Sequence, residues 1–307
     1  MSKFPFEIMF EKQDILERLD ISIPWGHYEI RVLSFHLTSF PPGRVVNFHN
    51  HSEFEFHFIP RGKGKVILGD QTYPLSEGML YLTGPGVMHY QEADSEESMD
   101  ELCLHIDIQK KFREVVDPWE VNEAEESIEK LRNLPLVPAQ DYHKAMLCFL
   151  EAYSACDGKF SGYYTSIKHL VISILLKTVR TYDTGRITSE APVRDMLTYR
   201  YEYAIQYIEA NYSATVTLEN VAEKLNISSR QLQRIFSHVN PDRPFSRVLE
   251  DTRLQAVCQK LEESSFSIEQ IALSEGFTNA NYLHTVFRKR LAMTPAKYRN
   301  TKQKNHK

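Results

Sequence analysis

The chain has 307 residues, of which 42% are hydrophobic and 25% are charged, and its formal net charge is −5. This length predicts two domains, and this composition is that of a folded soluble chain rather than of a disordered one. No apolar run is long enough for a membrane span and the first residues lack the core of a signal peptide, so we expect a cytoplasmic protein without a membrane partner. The four cysteines show no paired spacing, which favours reduced thiols.

The charges are unevenly divided along the chain. Residues 190–307 contain 17 Lys and Arg against 13 Asp and Glu, a net charge of +4, whereas residues 1–189 carry −9. A basic C-terminal part beside an acidic N-terminal part fits nucleic-acid binding by the basic part. A small excess of this kind also occurs on surfaces that are only solvated, so the charge alone assigns no function.

Residues 1–118 are predicted to form a β-rich domain. The first 24 residues mix acidic and apolar side chains and suit a short helix or an arm. From Tyr28 to Asp107, short runs rich in Val, Ile, Phe, Tyr and Leu alternate with Gly and Pro turn signals. Many short strands at this spacing are typical of a double-sheet β-barrel or jelly roll.

Residues 119–183 are predicted to be helical. The stretch 164–182 places apolar residues at helical spacing along one face: Ile167, Leu170, Val171, Ile174, Leu175 and Val179. A face this apolar must be covered, either by the barrel of the same chain or by a second subunit. The sequence leaves both alternatives open.

The C-terminal part begins after a predicted linker, residues 184–196, which is rich in Gly, Ser, Thr and Pro. Residues 197–300 are predicted to be an all-α domain, and residues 301–307 a polar, disordered tail. Within this domain we expect a first helix over 197–211. A long helix over 247–261 then joins two short helix pairs, one before it and one after it.

The two helix pairs have the same plan of helix, tight turn and second helix. In the first pair, Asn226 supplies the turn, and Ser228 with Gln231 forms a capping box that starts the second helix. In the second pair, Gly276 suits a left-handed helix end and Asn279 caps the next helix. Ser267 and Gln270 form a capping box at the start of the second pair. The predicted inner face of its second helix is Tyr282, Leu283, Val286 and Phe287.

A histidine-rich pattern lies in the predicted barrel. It reads Gly43-x5-His49-x-His51-x3-Glu55-x6-Gly62, followed by Gly78-x7-Gly86-x2-His89. This resembles the two cupin motifs, the first complete and the second partial, since Gly84 stands where Pro is usual. Residues at i and i+2 of a strand share one face, so these side chains can converge inside the barrel.

Such a set has two interpretations. His49, His51, Glu55 and His89 could bind a divalent metal such as Zn, Ni, Fe or Mn. Alternatively, the barrel holds a small-molecule effector in a metal-free polar pocket, and no cofactor is required. The predicted lining, whose aromatic rings point to a sugar-like ligand, is Phe48, His49, His51, Glu55, His57, Tyr81 and His89.

The region from Tyr201 to Arg299 resembles the AraC family of transcription regulators. The resemblance depends on Ile-Ala, Gly-Phe, an aromatic residue, Phe-Arg, Thr-Pro and Tyr-Arg in the second helix pair and its continuation. Leu283 and Ala292 depart from the usual aromatic and Gly, and residues 240–245 replace the usual Gly-x-Ser-Pro. The resemblance implies a tandem helix-turn-helix domain and a homodimer formed through the helical segment.

The resemblance also implies which residues contact double-stranded DNA. They are Ser229, Arg230, Gln233, Arg234, Ala280, Asn281, His284, Thr285, Arg288 and Lys289. Arg can bind guanine edges and Gln can bind adenine, so we expect the first unit to carry most base specificity. The second unit would position the protein, with Arg290 and Lys297 adding phosphate contacts. The two units should reach the duplex roughly 34 Å apart.

These observations predict an α+β protein: a cupin-like jelly-roll sensor, a helical dimerisation segment and an all-α DNA-binding domain. The predicted function is a ligand-responsive, sequence-specific transcription regulator and not an enzyme. The family's habit implies an activator that works with RNA polymerase and controls genes for a small molecule such as a sugar. The competing hypothesis is a metal-dependent cupin enzyme with a helical appendage.

Overall fold

The computed structural model describes residues 4–111, 114, 117–183, 185 and 191–304. Its internal contacts divide the chain into two compact units, Met1–Ala191 and Pro192–Lys307. Within the described residues, no helix combines the length and apolar character needed to cross a bilayer.

The first unit is built on two antiparallel sheets. The larger has the strand order β1-β2-β9-β4-β7-β10 and the smaller β3-β8-β5-β6. The strands are β1 (Ser22–Trp25), β2 (Tyr28–Phe40), β3 (Val45–His49), β4 (Phe54–Arg61), β5 (Lys63–Leu68), β6 (Gln71–Ser76), β7 (Met79–Thr83), β8 (His89–Ala93), β9 (Met99–Lys110) and β10 (Ala139–Gln140). This confirms the predicted barrel.

Strand β4 shows why the barrel has a polar interior. Phe54, Phe56 and Phe58 alternate with Glu55 and His57, so the apolar residues share one face and the polar residues the other. The apolar face packs in the main core of the unit with the helices, whereas the polar face looks into the barrel. The six-stranded sheet is therefore covered on its outside and lined with titratable groups on its inside.

Helices α1 (Pro118–Arg132), α2 (Met146–Gly158) and α3 (Tyr163–Tyr182) complete the unit, after a short 3-10 helix at Glu7–Phe10. The apolar face of α3 lies in the core of its own unit, where Ile167, Val171 and Ile174 are fully buried. The face thus covers its own barrel, the first of the two alternatives. Leu170, Ile172 and Leu176 are only partly buried beside it.

In the second unit, the regular elements of the described residues, 192–304, are all helices. They are α4 (Met196–Asn211), α5 (Leu218–Lys224), α6 (Ser229–Val239), α7 (Phe245–Glu263), α8 (Ile268–Ser274), α9 (Ala280–Leu291) and α10 (Pro295–Lys304). One small core joins α4, α5, α6 and the start of α7, and a second joins the end of α7 to α8, α9 and α10. Helix α7, about 28 Å long at 1.5 Å per residue, is shared by both cores.

The local signals in the sequence are confirmed at the helix ends. Ser228 and Gln231 form a capping box at α6, and Ser267 and Gln270 form one at α8. The side chain of Asn279 accepts the Tyr282 N–H at 2.8 Å at the start of α9. The two helix-turn-helix units therefore begin and end where short-range hydrogen bonding directs them.

Two predictions about α9 and α10 were wrong. Tyr282 was predicted on the inner face of α9, but 48% of it is exposed and its hydroxyl donates to Glu250 at 3.4 Å. Residues 301–304 were predicted as disordered tail, yet they continue α10, where the Gln303 amide donates to the Leu261 carbonyl. In the predicted linker, Asp195 caps α4 and Met196 begins it. Linker residues 184 and 186–190 and tail residues 305–307 lie outside the described residues.

Candidate DNA-reading surface and buried histidine cluster

Helix α6 presents one polar face to solvent. Leu232, Ile235 and Phe236 are buried in the core of the first helix-turn-helix unit. The opposite side carries the residues predicted to read DNA. Arg230, Gln233 and Arg234 are exposed there, and Ser229 is partly exposed. Two guanidinium groups and an amide on one helix face can form the bidentate contacts that distinguish bases in a major groove.

Helix α9 has the same arrangement with less charge on the corresponding face. Leu283, Val286 and Phe287 are buried. The predicted contact residues lie outside this core. Ala280 and His284 are partly exposed, and Asn281, Thr285, Arg288 and Lys289 are exposed. The cationic pair sits in the last turns of α9, where it also interacts favourably with the helix dipole.

Arg290 is held inside the protein, contrary to its predicted phosphate contact. Its side chain is 9% exposed, and its Nε lies 3.6 Å from Glu250 of α7. It also forms an ion pair with Asp251. Arg290 therefore fixes α9 to α7, and its charge is already compensated.

The turn between α4 and α5 connects the two helix-turn-helix units. Arg253 of α7 donates to the carbonyls of Tyr212 at 2.7 Å and Ala214 at 2.9 Å. The Tyr212 hydroxyl donates to buried Glu275, which ends α8, at 3.0 Å. These bonds connect the first helix-turn-helix unit to the turn before α9. They fix the outward faces of α6 and α9 relative to each other.

In the barrel, a single carboxylate gathers the histidines. Glu55 Oε2 lies 2.8 Å from His51 Nε2 and 3.4 Å from His89 Nε2. Its Oε1 lies 2.6 Å from His105 Nε2 and accepts the Cys103 thiol at 3.3 Å. The ring of His49 is centred 4.1 Å from that of His89.

Three of these histidines share one hydrogen-bond pattern. Nδ1 of His49, His51 and His89 lies 2.9–3.0 Å from a main-chain carbonyl two residues away. Because a carbonyl only accepts, Nδ1 carries the proton, and Nε2 of His49 and His89 keeps a lone pair. His51 differs, since its Nε2 lies 2.8 Å from the Glu55 carboxylate and donates to it. Nε2 of His89 is buried and has no hydrogen-bond partner among the described residues. Imidazoles held in this way by outer carbonyls are typical of metal ligands.

The donor atoms converge closely enough for an ion. Those of His49, Glu55 and His89 all lie within 4.8 Å of one another, as do those of His51, Glu55 and His105. Nitrogen and carboxylate donors suit a divalent transition metal. Three of the four predicted metal ligands, His49, Glu55 and His89, are therefore brought together in one group, and His51 shares Glu55 with it. These donors fit the predicted metal.

His57 lies behind Glu55 and differs from the other histidines. Its Nδ1 lies 2.5 Å from Glu101 and its Nε2 3.1 Å from Glu55, while its ring stacks on Tyr81 at 4.1 Å. Burial lowers the pKa of His57, but the two carboxylates outweigh it and raise the pKa to about 10. A doubly protonated imidazole donates at both nitrogens and has no lone pair for a metal.

The pKa values of the Glu55 carboxyl and the Cys103 thiol are also shifted. Burial by itself would raise the pKa of the Glu55 carboxyl, but the imidazoles of His57, His105 and His51 outweigh burial and hold this pKa below its usual range. Burial raises the pKa of the Cys103 thiol well above its usual range. The centre of the cluster is thus an ionised carboxylate, the form that binds a cation, beside a neutral thiol.

Sequence reasoning placed one residue wrongly in this cluster and missed others. Phe48 lies on the outside, 55% exposed, with its ring 5.2 Å from Tyr90, because neighbouring strand residues point to opposite faces. His105 and Glu101 were missed. The alternation along β9 indicates that both side chains lie on the same face of the strand. The pairing of His105 with Glu55, however, depends on how β9 is aligned with β4.

The comparisons with known proteins agree with both parts. A family model of a helix-turn-helix domain matches residues 221–301, and a cupin domain matches residues 36–105. The uncharacterised HTH-type regulator YfiF of Bacillus subtilis is 23% identical over 252 residues, covering 82% of this chain and 78% of its own. The HTH-type transcriptional activator RhaS of Pectobacterium carotovorum is 23% identical, covering 82% and 87%.

Two solved structures are also similar to parts of the chain. A transcriptional regulator with an AraC-type DNA-binding domain from Chromobacterium violaceum is 27% identical, with 34% of this chain and 93% of that chain covered and a TM-score of 0.33. ToxT from Vibrio cholerae, solved with a bound unsaturated fatty acid, is 14% identical, with 92% and 96% covered and a TM-score of 0.32.

The fold, the two outward helix faces and the matched domains define a helix-turn-helix DNA-binding protein with a cupin domain before it. More narrowly, the chain is similar over most of its length to proteins named HTH-type transcriptional regulators.

Proposed function

We propose that this regulator reads a specific double-stranded DNA sequence with the outward faces of α6 and α9. The observation that carries the proposal is that both faces project from cores built on one continuous helix, α7. Arg230, Gln233 and Arg234 supply direct base contacts, and the weaker polar face of α9 with Arg288 and Lys289 positions the domain.

We further propose that the histidine cluster binds a divalent metal ion and that this ion is the effector. The support is the orientation of His49 and His89, whose Nε2 atoms are freed by bonds from Nδ1 to main-chain carbonyls, beside the ionised carboxylate of Glu55. A sugar-like effector has less support, because Phe48 lies outside the cluster and Tyr81 is buried against His57. Both aromatic surfaces expected for a sugar are thus removed.

Ion binding would act on DNA binding through differential affinity for two states of the chain. Activation rather than repression is the proposed direction, supported by the relative RhaS, which is named an activator. RNA polymerase and a second copy of this chain are the proposed partners. An apolar groove between α2 and α3, lined by Leu150, Phe160 and Leu170, offers a surface for the second copy.

The test of DNA reading is selection of duplexes from a randomised pool by the full chain. We expect enrichment of sites with two conserved blocks about one helical turn, roughly 34 Å, apart. Repeating the selection with Zn²⁺ and with a chelator tests the effector role, and we expect affinity for the selected site to differ between the two. A pool that shows no enrichment under either condition would contradict sequence-specific reading.

A metal-dependent cupin enzyme is the second candidate, favoured by the three imidazoles and one carboxylate at the centre of a cupin domain. Metal content and DNA affinity measured on one preparation separate the two. Metal binding without selective DNA affinity would support the enzyme.

A further inference from the structure

His105 lies outside both cupin motifs but inside the cluster. It is on β9, where the register pairs it directly with Glu55 of β4. Directly paired residues of antiparallel strands present their side chains on the same face. Its Nε2 consequently reaches Glu55 Oε1 at 2.6 Å, and its ring centre lies 5.3 Å from that of His51.

The donor atoms form two groups that share Glu55, His49 with His89 in one and His51 with His105 in the other, and each group lies within 4.8 Å. Bonds of 2.0–2.2 Å from a metal to nitrogen and oxygen place neighbouring ligand atoms about 3 Å apart. The Glu55 oxygens lie 2.6 Å from His105, 2.8 Å from His51 and 3.4 Å from His89. These values scatter around the separation expected for adjacent ligands.

We propose that His105 is a fifth protein ligand of the ion, together with His49, His51, Glu55 and His89. This inference deepens the proposed metal site and depends on it. Catalytic metal sites keep an open position for water or substrate, whereas sites filled by protein ligands do not. A set of five side-chain donors therefore favours an ion that is sensed and disfavours one that performs chemistry.

The other inner-face histidines do not have this geometry. His57 faces carboxylates with both nitrogens, Glu101 at 2.5 Å and Glu55 at 3.1 Å. His36 on β2 directs Nδ1 to Glu17 at 2.8 Å. His36 thus provides a matched control, a histidine on the same sheet whose described bonds do not include Glu55.

The experiment uses the full chain loaded with Co²⁺. Proton NMR of the loaded protein shows strongly shifted, exchangeable imidazole N–H signals for coordinated histidines. We expect one such signal each from His49, His51, His89 and His105. We expect His105→Gln to remove one signal, to intensify the visible Co²⁺ bands as the coordination number falls, and to weaken Zn²⁺ binding at least about tenfold. His36→Gln should leave all three measurements unchanged.

Wild-type protein with only the three motif histidines shifted would overturn the inference, and this result does not depend on how the variant folds. Unchanged bands and Zn²⁺ affinity in folded His105→Gln would reduce His105 to a hydrogen-bond partner of Glu55. Two ions per chain would also overturn it, since Glu55 would then bridge separate sites. A chain that binds no Co²⁺ but selects DNA would refute the metal site and leave DNA reading intact.

Discussion

Gly276, in the turn before α9, lies directly against the main-chain carbonyl of Tyr212, which belongs to the turn between α4 and α5. A Cβ at position 276 would lie 2.7 Å from the Tyr212 oxygen and 2.8 Å from Arg253 Nε. The φ of Gly276 is +83°, a left-handed value that side chains disfavour. One turn thus sets both the end of α8 and the distance between the helix-turn-helix units.

Gly276→Ala should therefore destabilise the C-terminal unit, by about 1–3 kcal/mol from backbone strain and the contact together. Both tryptophans, Trp25 and Trp119, lie in the N-terminal unit. Urea unfolding should show an earlier circular dichroism transition with an unchanged tryptophan transition. Gly162→Ala is the control for strain alone, because Gly162 has φ +86° and open space around it. Equal losses in the two variants would show that the contact with Tyr212 is unimportant.

Arg234→Ala should weaken binding to the selected DNA site by about 1–3 kcal/mol and relax one base position. The reason is that the exposed guanidinium of Arg234 on α6 can bind a guanine edge with two hydrogen bonds. Fluorescence anisotropy over a set of single-base variants of the site measures both effects. Arg18→Ala, which removes an exposed arginine from the N-terminal unit, controls for lost charge. A uniform loss over all sites would assign Arg234 to phosphate contact instead.

His89→Gln should reduce Zn²⁺ affinity by more than the roughly 10–100-fold typical of losing an outer-shell partner. In the part of the chain that the structure describes, its buried Nε2 has no hydrogen-bond partner, so the lone pair is available to the ion. Competition with a chromogenic chelator measures the dissociation constant. The comparison variant is His36→Gln, for which we expect wild-type affinity. Retained affinity in His89→Gln would exclude this imidazole from the site.

The buried ion group at His57 predicts a loss of stability at alkaline pH. The pKa of His57 is raised from about 6.5 to about 10, so its contribution is complete below about pH 6.5 and is lost as the pH rises through 10. In chelator, the free energy of unfolding followed by tryptophan fluorescence should fall between pH 7 and 10. His57→Gln should flatten this dependence, and His36→Gln should retain it. Parallel curves for all three proteins would contradict the assigned charge of His57.

Much of the fold could be read from short stretches of sequence. Ser228 with Gln231, Ser267 with Gln270, and Asn279 act over three residues, and the structure shows each of them capping a helix as predicted. Hydrogen bonds between close neighbours depend little on the rest of the chain. For the same reason, the alternation along β4 indicated that Glu55 faces the barrel interior.

The sequence by itself determined the order of the two units, the capped starts of α6, α8 and α9, and the candidate ligands His49, His51, Glu55 and His89. Only the tertiary structure decided that His105 meets Glu55, that Phe48 lies outside and that Arg290 is bound to α7. Strand register and helix contacts join residues far apart in the chain, here Glu55 and His105. A register shift of one residue would reverse every side chain of the strand, so parity alone could not identify the partner of Glu55.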